Sequence, residues 1–426
     1  MQKTKLILGA LLCNSLSVVE AAPAPRARDK GKLQTVAQFY GAMPTGVTVS
    51  QKGRVFVNFP RWGDEVPFSV AEIVDGKAVA FPPEPVERVK RKRLFRSGNV
   101  IRITETVYRR LRTPNWNDFG ASGTRKLLAL EKSPRAENLR RNHFVCVQSV
   151  VVDPADRLWV LDSGAIDFGL TAPGGPKMVC FDLKTNRAVK TIVFAGNVIK
   201  PGTYLNDVRF DLRKGRAGTA YITDSGVGGI IVVDLASGSA FRRLDNHRSV
   251  QSEPKFVPLI EGRSVFSTPK NQFPGYVGVK SDGIALSADG SRLFYSPLSS
   301  RRLYSVSTSV LLNGKASNGV VENSIVDHGD KGMSDGLEVD AQGRIYCTQL
   351  ETNSISRRLP SGLFETIVHN DRLLWPDTLS LASNGDLYVI TNQLHRQKGF
   401  NSGKDLRVKP YSLFKIATDG TPVRLK

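Results

Sequence analysis

Gln148-Ser149-Val150-Val151-Val152, followed after a short turn by Arg157-Leu158-Trp159-Val160, is the stretch that decides the fold. A polar residue opens an alternating apolar strand, a tight turn follows, and a second strand of β-branched and aromatic residues returns. The phrase recurs on both sides. Thr45-Gly46-Val47-Thr48-Val49 leads to Arg54-Val55-Phe56-Val57, and Asn206-Asp207-Val208-Arg209-Phe210 leads to Ala220-Tyr221-Ile222. Asp282-Gly283-Ile284-Ala285-Leu286 leads to Arg292-Leu293-Phe294-Tyr295. Asp335-Gly336-Leu337-Glu338-Val339 leads to Arg344-Ile345-Tyr346, and Asp377-Thr378-Leu379-Ser380-Leu381 leads to Asp386-Leu387-Tyr388-Val389. One supersecondary unit repeated six times predicts an all-β fold, a six-bladed β-propeller of four-stranded antiparallel blades.

A closed propeller overrides the two or three domains that 426 residues would otherwise suggest. Its many hairpins need turn formers, and the chain has 38 Gly and 23 Pro. Residues 1–21 read as a removable export signal. Lys3 and Lys5 precede an apolar run at 6–12, and Val19-Glu20-Ala21 offers a small-residue cleavage site. The run is too short to span a bilayer, so no membrane anchor is expected. The expected location is extracellular, or periplasmic in a Gram-negative host. Ala22-Pro23-Ala24-Pro25 begins an N-terminal segment at 22–43, and the propeller occupies 44–426.

Cys146, Cys180 and Cys347 would remain after cleavage, too few and too uneven for a disulfide framework. Cys146 and Cys180 fall two strands apart in one blade, roughly 9–10 Å, beyond bridging distance. Buried thiols are expected. The net charge of +21 suggests nucleic acid, yet much of it is concentrated between Arg88 and Arg112, without a recognition helix, zinc finger or stacking motif. No specific nucleic-acid recognition follows. Adhesion to anionic partners through this basic stretch remains a third function class.

The blades are placed at about 44–81, 143–195, 204–245, 277–312, 333–370 and from 375 onward. The last blade lacks a fourth strand, and Leu33-Gln34-Thr35-Val36-Ala37-Gln38-Phe39 alternates suitably to supply it from the other end of the chain. The basic interval at about 85–140 lacks the repeat phrase and is expected to be a poorly ordered insertion outside the core. A milder excursion, rich in Pro and Gly, covers 246–276.

Common catalytic signatures are absent: no His-Glu-x-x-His, no Gly-x-Ser-x-Gly and no phosphate loop. The repeat alignment itself nominates the site. Thr45, Gln148, Asn206, Asp282, Asp335 and Asp377 stand at one equivalent position of the six innermost strands, which converge on the axis. They are the expected binding residues for a small-molecule ligand or substrate. Three carboxylates at such proximity resist ionisation without a counter-cation. Asn206, Asp282, Asp335 and Asp377 offer only hard oxygens, which suits Ca²⁺, then Mg²⁺ or Mn²⁺. The same residue types also cap turns. Asp162, Asp224 and Asn392, near the ends of second strands, read as structural, and Trp62 and Trp375 as packing residues.

Several of these phrases together resemble the major royal jelly protein/Yellow family. They are Asn58-Phe59-Pro60-Arg61-Trp62, Ser149-Val150-Val151-Val152-Asp153, Tyr204-Leu205-Asn206-Asp207-Val208-Arg209-Phe210-Asp211, Ala220-Tyr221-Ile222-Thr223-Asp224-Ser225, Pro297-Leu298-Ser299-Ser300 and Trp375-Pro376-Asp377-Thr378-Leu379-Ser380. The resemblance implies a secreted six-bladed propeller. It leaves activity open among nutritive proteins, binders of small amines and proteins tied to melanin-precursor chemistry. A more distant similarity, to gluconolactonase-type propellers, rests on Asn206-Asp207, Asp282-Gly283 and Asp335-Gly336. It implies a metal-dependent lactone hydrolase with Asp335 as catalytic acid/base, although Thr45 and Asp282 depart from that pattern. The first expectation is thus a ligand-binding propeller, and the alternative is a lactonase-like hydrolase.

Overall fold

The computed structural model describes residues 32–83, 86–95, 101–110, 116–117 and 132–426. The export signal and the segment at 22–25 lie outside these residues. Six four-stranded antiparallel sheets follow one another around an axis. The first strand of the chain, β1 (Gln34–Phe39), stands apart from blade one, which is β2 (Gly46–Val49), β3 (Val55–Asn58), β4 (Val70–Val74) and β5 (Lys77–Ala80). A two-stranded hairpin follows, β6 (Val86–Phe95) with β7 (Ile101–Arg110). Blade two is β8 (Val147–Val152), β9 (Arg157–Asp162), β10 (Lys177–Asp182) and β11 (Arg187–Val193). Blade three runs from β12 (Leu205–Asp211) through β13 (Thr219–Asp224) and β14 (Ile230–Asp234) to β15 (Ala240–Arg243). A short hairpin, β16 (Leu259–Ile260) and β17 (Arg263–Ser264), precedes blade four.

Blade four comprises β18 (Ser281–Leu286), β19 (Arg292–Pro297), β20 (Arg302–Ser307) and β21 (Val326–Asp330). It extends past the boundary expected near 312, because two short helices, Thr308–Leu312 and Asn318–Asn323, separate its last two strands. Leu311 and Val321 bury their side chains against blade four and hold that connection down. Blade five is β22 (Leu337–Val339), β23 (Ile345–Gln349), β24 (Ser354–Arg358) and β25 (Phe364–His369). Blade six has β26 (Pro376–Leu381), β27 (Asp386–Thr391) and β28 (Tyr411–Ala417), and β1 completes it. The closing register runs antiparallel from Gln34 opposite Lys415 to Phe39 opposite Tyr411, so the edge of blade six is covered as expected.

Local chemistry fixes the hairpins. Asp153 accepts from the amides of Ala155 and Arg157, the Arg157 guanidinium and the Trp159 indole. Asp340 does the same for Gln342, Arg344 and the Tyr346 hydroxyl. An aspartate thus organises the turn and then braces the strand that leaves it. Apolar clusters fill the seams between blades. One joins Trp159, Met178 and Cys180 to Val208, Phe210 and Ile222. Cys146, Cys180 and Cys347 are buried free thiols, as expected.

The basic interval is not wholly outside the core, which corrects the expectation for 85–140. Trp116 is buried against Phe144, with ring centroids 5.3 Å apart. Asn117 accepts from the Ser69 amide at 2.9 Å and donates to the Phe81 carbonyl at 3.2 Å. Residues Pro134–Asn142 form a helix with Ser133 as N-cap, and its Arg140 reaches the Pro173 carbonyl at 2.7 Å. The dense Lys and Arg content masks these few anchors in the composition.

The excursion at 246–276 is a strap across one end of the propeller. Phe256, Ile260 and Val265 pack with Trp62, Tyr204, Met333, Leu350, Trp375 and Leu394, residues drawn from four blades. Its hairpin is tied to blade six. Glu261 pairs with His395 at 2.6 Å and with Arg396, and the Thr268 amide bonds the Gly399 carbonyl at 2.7 Å.

Candidate functional site in the central channel

The innermost strands place the six nominated residues at the strap end of the channel, all buried at 1–9% exposure. Close approach of the blades there requires glycine. A Cβ on Gly283 would stand 2.3 Å from the Asp335 carbonyl oxygen, and one on Gly336 2.3 Å from that of Asp377. No side chain fits at either position.

Three acids and an amide form one constellation. Asn206 Nδ2 donates to Asp282 Oδ1, and Asp282 shares a hydrogen bond with Asp335. Asp335 Oδ2 also accepts from Trp375 Nε1 at 2.8 Å. Asp377 accepts from Asn392 Nδ2 at 2.6 Å and from Thr378 Oγ1 at 3.1 Å. Burial, then repulsion from Asp335 and Asp377, holds the Asp282 carboxyl well above the usual range. Asp377 is likewise raised by burial and by Asp335. Asp335 is pushed up by burial to about 6, and the indole donor and Asp282 restrain the shift. Lys331 faces Asp282 and Asp335, yet burial lowers its ammonium to about 8. The carboxyls therefore share protons, as clustered acids in a poorly hydrated site must.

The other two nominated residues turn to the seam of blades one and two. Thr45 Oγ1 accepts from Asn58 Nδ2 at 2.9 Å and donates to the Gln148 carbonyl at 3.4 Å. Gln148 Oε1 accepts from the Tyr204 hydroxyl at 2.9 Å, which in turn accepts from Trp62 Nε1 at 2.8 Å. Phe168 stacks on Trp62 with centroids 4.4 Å apart. Trp62 and Trp375 do pack, but each also aims an indole donor along the channel. Asn392, read as structural, belongs with the acids, whereas Asp162 and Asp224 are structural. Asp224 accepts from three backbone amides and pairs with Arg242 at 2.9 Å.

Deeper residues escaped the sequence reading. Asp207 accepts from Ser149 Oγ at 2.7 Å and pairs with Arg209 at 2.8 Å. Arg209 also crosses to the Leu337 carbonyl at 2.9 Å, beside Glu338, whose carboxyl is raised by burial. Arg209 and Glu338 stand three residues beyond the ring positions of their strands, a second tier that the same alignment would have exposed. They line a cavity of about 120 Å³ at the far mouth, partly covered by residues 422–425.

The donors suit a hard cation by type, but their placement does not make a cage. Among the described residues no group of three or more His, Cys, Asp or Glu side chains is positioned to hold a metal ion. Asp282, Asp335 and Asp377 instead spend oxygens on Asn206, Trp375 and Asn392. No step is assigned to a metal.

Comparison with known proteins supplies a family. The family model described as major royal jelly protein matches residues 145–412. Major royal jelly protein 7 of Apis mellifera is 30% identical over 43% of this chain and 40% of its own length. Major royal jelly protein 1 of the same species is 31% identical over 39% of this chain and 37% of its own length. Protein yellow of Drosophila melanogaster is 25% identical over 63% of this chain and 42% of its own length. The chain thus spans well under half the length of these relatives. Among solved structures, a gluconolactonase from Xanthomonas campestris aligns over 91% of this chain and 89% of its own, at 10% identity and a TM-score of 0.46. A luciferin-regenerating enzyme aligns over 93% and 99%, at 9% identity and a TM-score of 0.48. With more than half of its residues matched by the family model, this chain belongs to the major royal jelly protein family.

Proposed function

We propose that this protein is a secreted binder of a small organic molecule, held in the channel at the ring of Asn206, Asp282, Asp335 and Asp377. One observation carries the reading: the carboxyls of Asp282, Asp335 and Asp377 are buried close enough to raise one another's pKa, and among the described residues no ammonium or guanidinium is bonded to them. The Trp375 indole donates to Asp335, and the strap cluster, which includes Trp375 and Tyr204, gives an apolar roof. Such a site favours a compact ligand with polar groups at one end and an apolar body at the other. The export signal read at 1–21 supports delivery outside the cell.

Thermal-shift screening of the protein recovered from culture medium tests this. A panel of small amphiphilic molecules should contain a class that raises Tm in the parent protein and not in Asp335→Asn. A panel that shifts neither, or both alike, sinks the reading. Recovery from the medium with an N-terminus near residue 22 checks export.

A hydrolase reading has one observation in its favour, the Asp335 carboxyl near 6, close to the pH at which an acid/base group works best. A lactone panel separates the two. Turnover by the parent protein that vanishes in Asp335→Asn would replace binding by catalysis.

A further inference from the structure

The strap carries a second feature that the ring does not use. Residues 270–276 are exposed without interruption, and Phe273 at their tip is 96% exposed. Tyr276 on the same hairpin, and Leu406 and Val408 on the neighbouring loop of blade six, are also exposed. Single exposed apolar residues are ordinary. Four on two abutting loops are not, and these loops abut closely. A Cβ on Gly403 would lie 2.9 Å from Cβ of Lys270, and the Ser402 amide bonds the Thr268 carbonyl at 2.9 Å.

The projection is held rather than floppy. Ser267 and Gly275 exchange two backbone hydrogen bonds of 2.9 Å, and buried Val265 and Val277 anchor the two stems. The charge around Phe273 is of one sign. Lys270, Lys404 and Lys409 are exposed, and residues 267–276 contain no acid. The acids nearby are already engaged, Asp405 with Arg407 and Glu261 with His395 and Arg396.

We propose that this tip docks on an anionic lipid surface, with Phe273 entering the headgroup–acyl boundary and Lys270 and Lys404 contacting lipid phosphates. Basic residues around an exposed aromatic residue match both terms of interfacial binding, apolar burial and attraction to negative headgroups. A soluble polyanion would use the lysines and leave Phe273 idle. The inference stands independently of the channel ligand.

Because the chain carries +21 overall, attraction to anionic vesicles is not by itself diagnostic. The role of Phe273 is. All four tryptophans are buried, so Phe273→Trp adds a reporter at the tip. Its emission should shift to the blue with phosphatidylcholine/phosphatidylserine vesicles and stay unchanged with phosphatidylcholine alone. In co-sedimentation with the mixed vesicles, Phe273→Ser should weaken binding about tenfold. Lys270→Gln and Lys404→Gln should each weaken it about fivefold. The Tm should stay at the parent value in all four variants. Binding that ignores Phe273→Ser, or emission of the Phe273→Trp variant unmoved by the mixed vesicles, would overturn the proposal in favour of general polyanion attraction. Absence of binding to the mixed vesicles would overturn it outright.

Discussion

Asp162 and the channel acids are equally deep and oppositely treated. Asp162 sits at the end of β9, fully buried, and accepts from the amides of Val145, Cys146 and Gly164 and from Lys177 at 2.6 Å. Its charge is matched by a buried ammonium, and it fastens the start of β8 to β10. Asp282, Asp335 and Asp377 receive mainly neutral donors and one another, and the nearby Lys331 donates to the Gly332 carbonyl instead. One carboxylate is a finished brace. The other three are held by neutral donors, without a bonded counter-charge among the described residues, and with raised pKa values, which is the condition of a site rather than a rivet.

Breaking the brace should have the largest effect. Lys177→Ala strands Asp162 as a buried charge, and chemical denaturation should show a loss of about 3–5 kcal/mol. The ring should respond in the opposite sense. Asp335 has a folded pKa near 6, above its unfolded value of 3.8, so the folded state binds the extra proton between those limits. Its contribution to stability is present below about 4 and is lost as the pH rises through 6. Asp335→Asn should therefore stabilise the protein at pH 8 by about 1–3 kcal/mol and flatten the dependence between pH 4 and 6. An unchanged slope would mean that this carboxyl is hydrated.

Chelation sharpens the contrast further. With the ring hydrogen-bonded as described, a chelator and added Ca²⁺ should both leave Tm in place. A rise with Ca²⁺ that disappears in Asp335→Asn would show the acids regrouping into a metal cage. The smallest effect of a substitution belongs to the strap. Glu261 is held near 2, chiefly by Arg396, so its contribution is present above about 4.5 and lost as the pH falls towards 2. Glu261→Gln should cost under about 1 kcal/mol globally, since the pair is partly exposed. It should still speed amide exchange around β16 and β17 at neutral pH.

Repetition made the fold legible. Six copies of one phrase give the blade count, the innermost strands and the ring positions, since equivalent residues of a radial repeat must meet at the axis. The strand at Gln34–Phe39 could be matched to blade six because alternation leaves that blade short of an edge. What the repeat does not encode could not be read. The strap lies between blades and follows no period, so nothing in its sequence says that Ile260 joins the apolar cluster of Trp375 or that Glu261 meets His395. The indole of Trp375 reads as packing because its donor finds Asp335 only once blades five and six are joined. The anchor at Trp116 and Asn117 is hidden by the arginines and lysines that precede it.

The pairing of β1 with β28 also sets a timetable. Gln34 leaves the ribosome before the first five blades, and Lys415, opposite it, only after them. The first strand must wait with its backbone unpaired while five blades are made, and the circle locks only on arrival of the last strand. A peptide copying Gln34–Phe39, supplied during refolding, should compete for that vacant edge and trap an open ring.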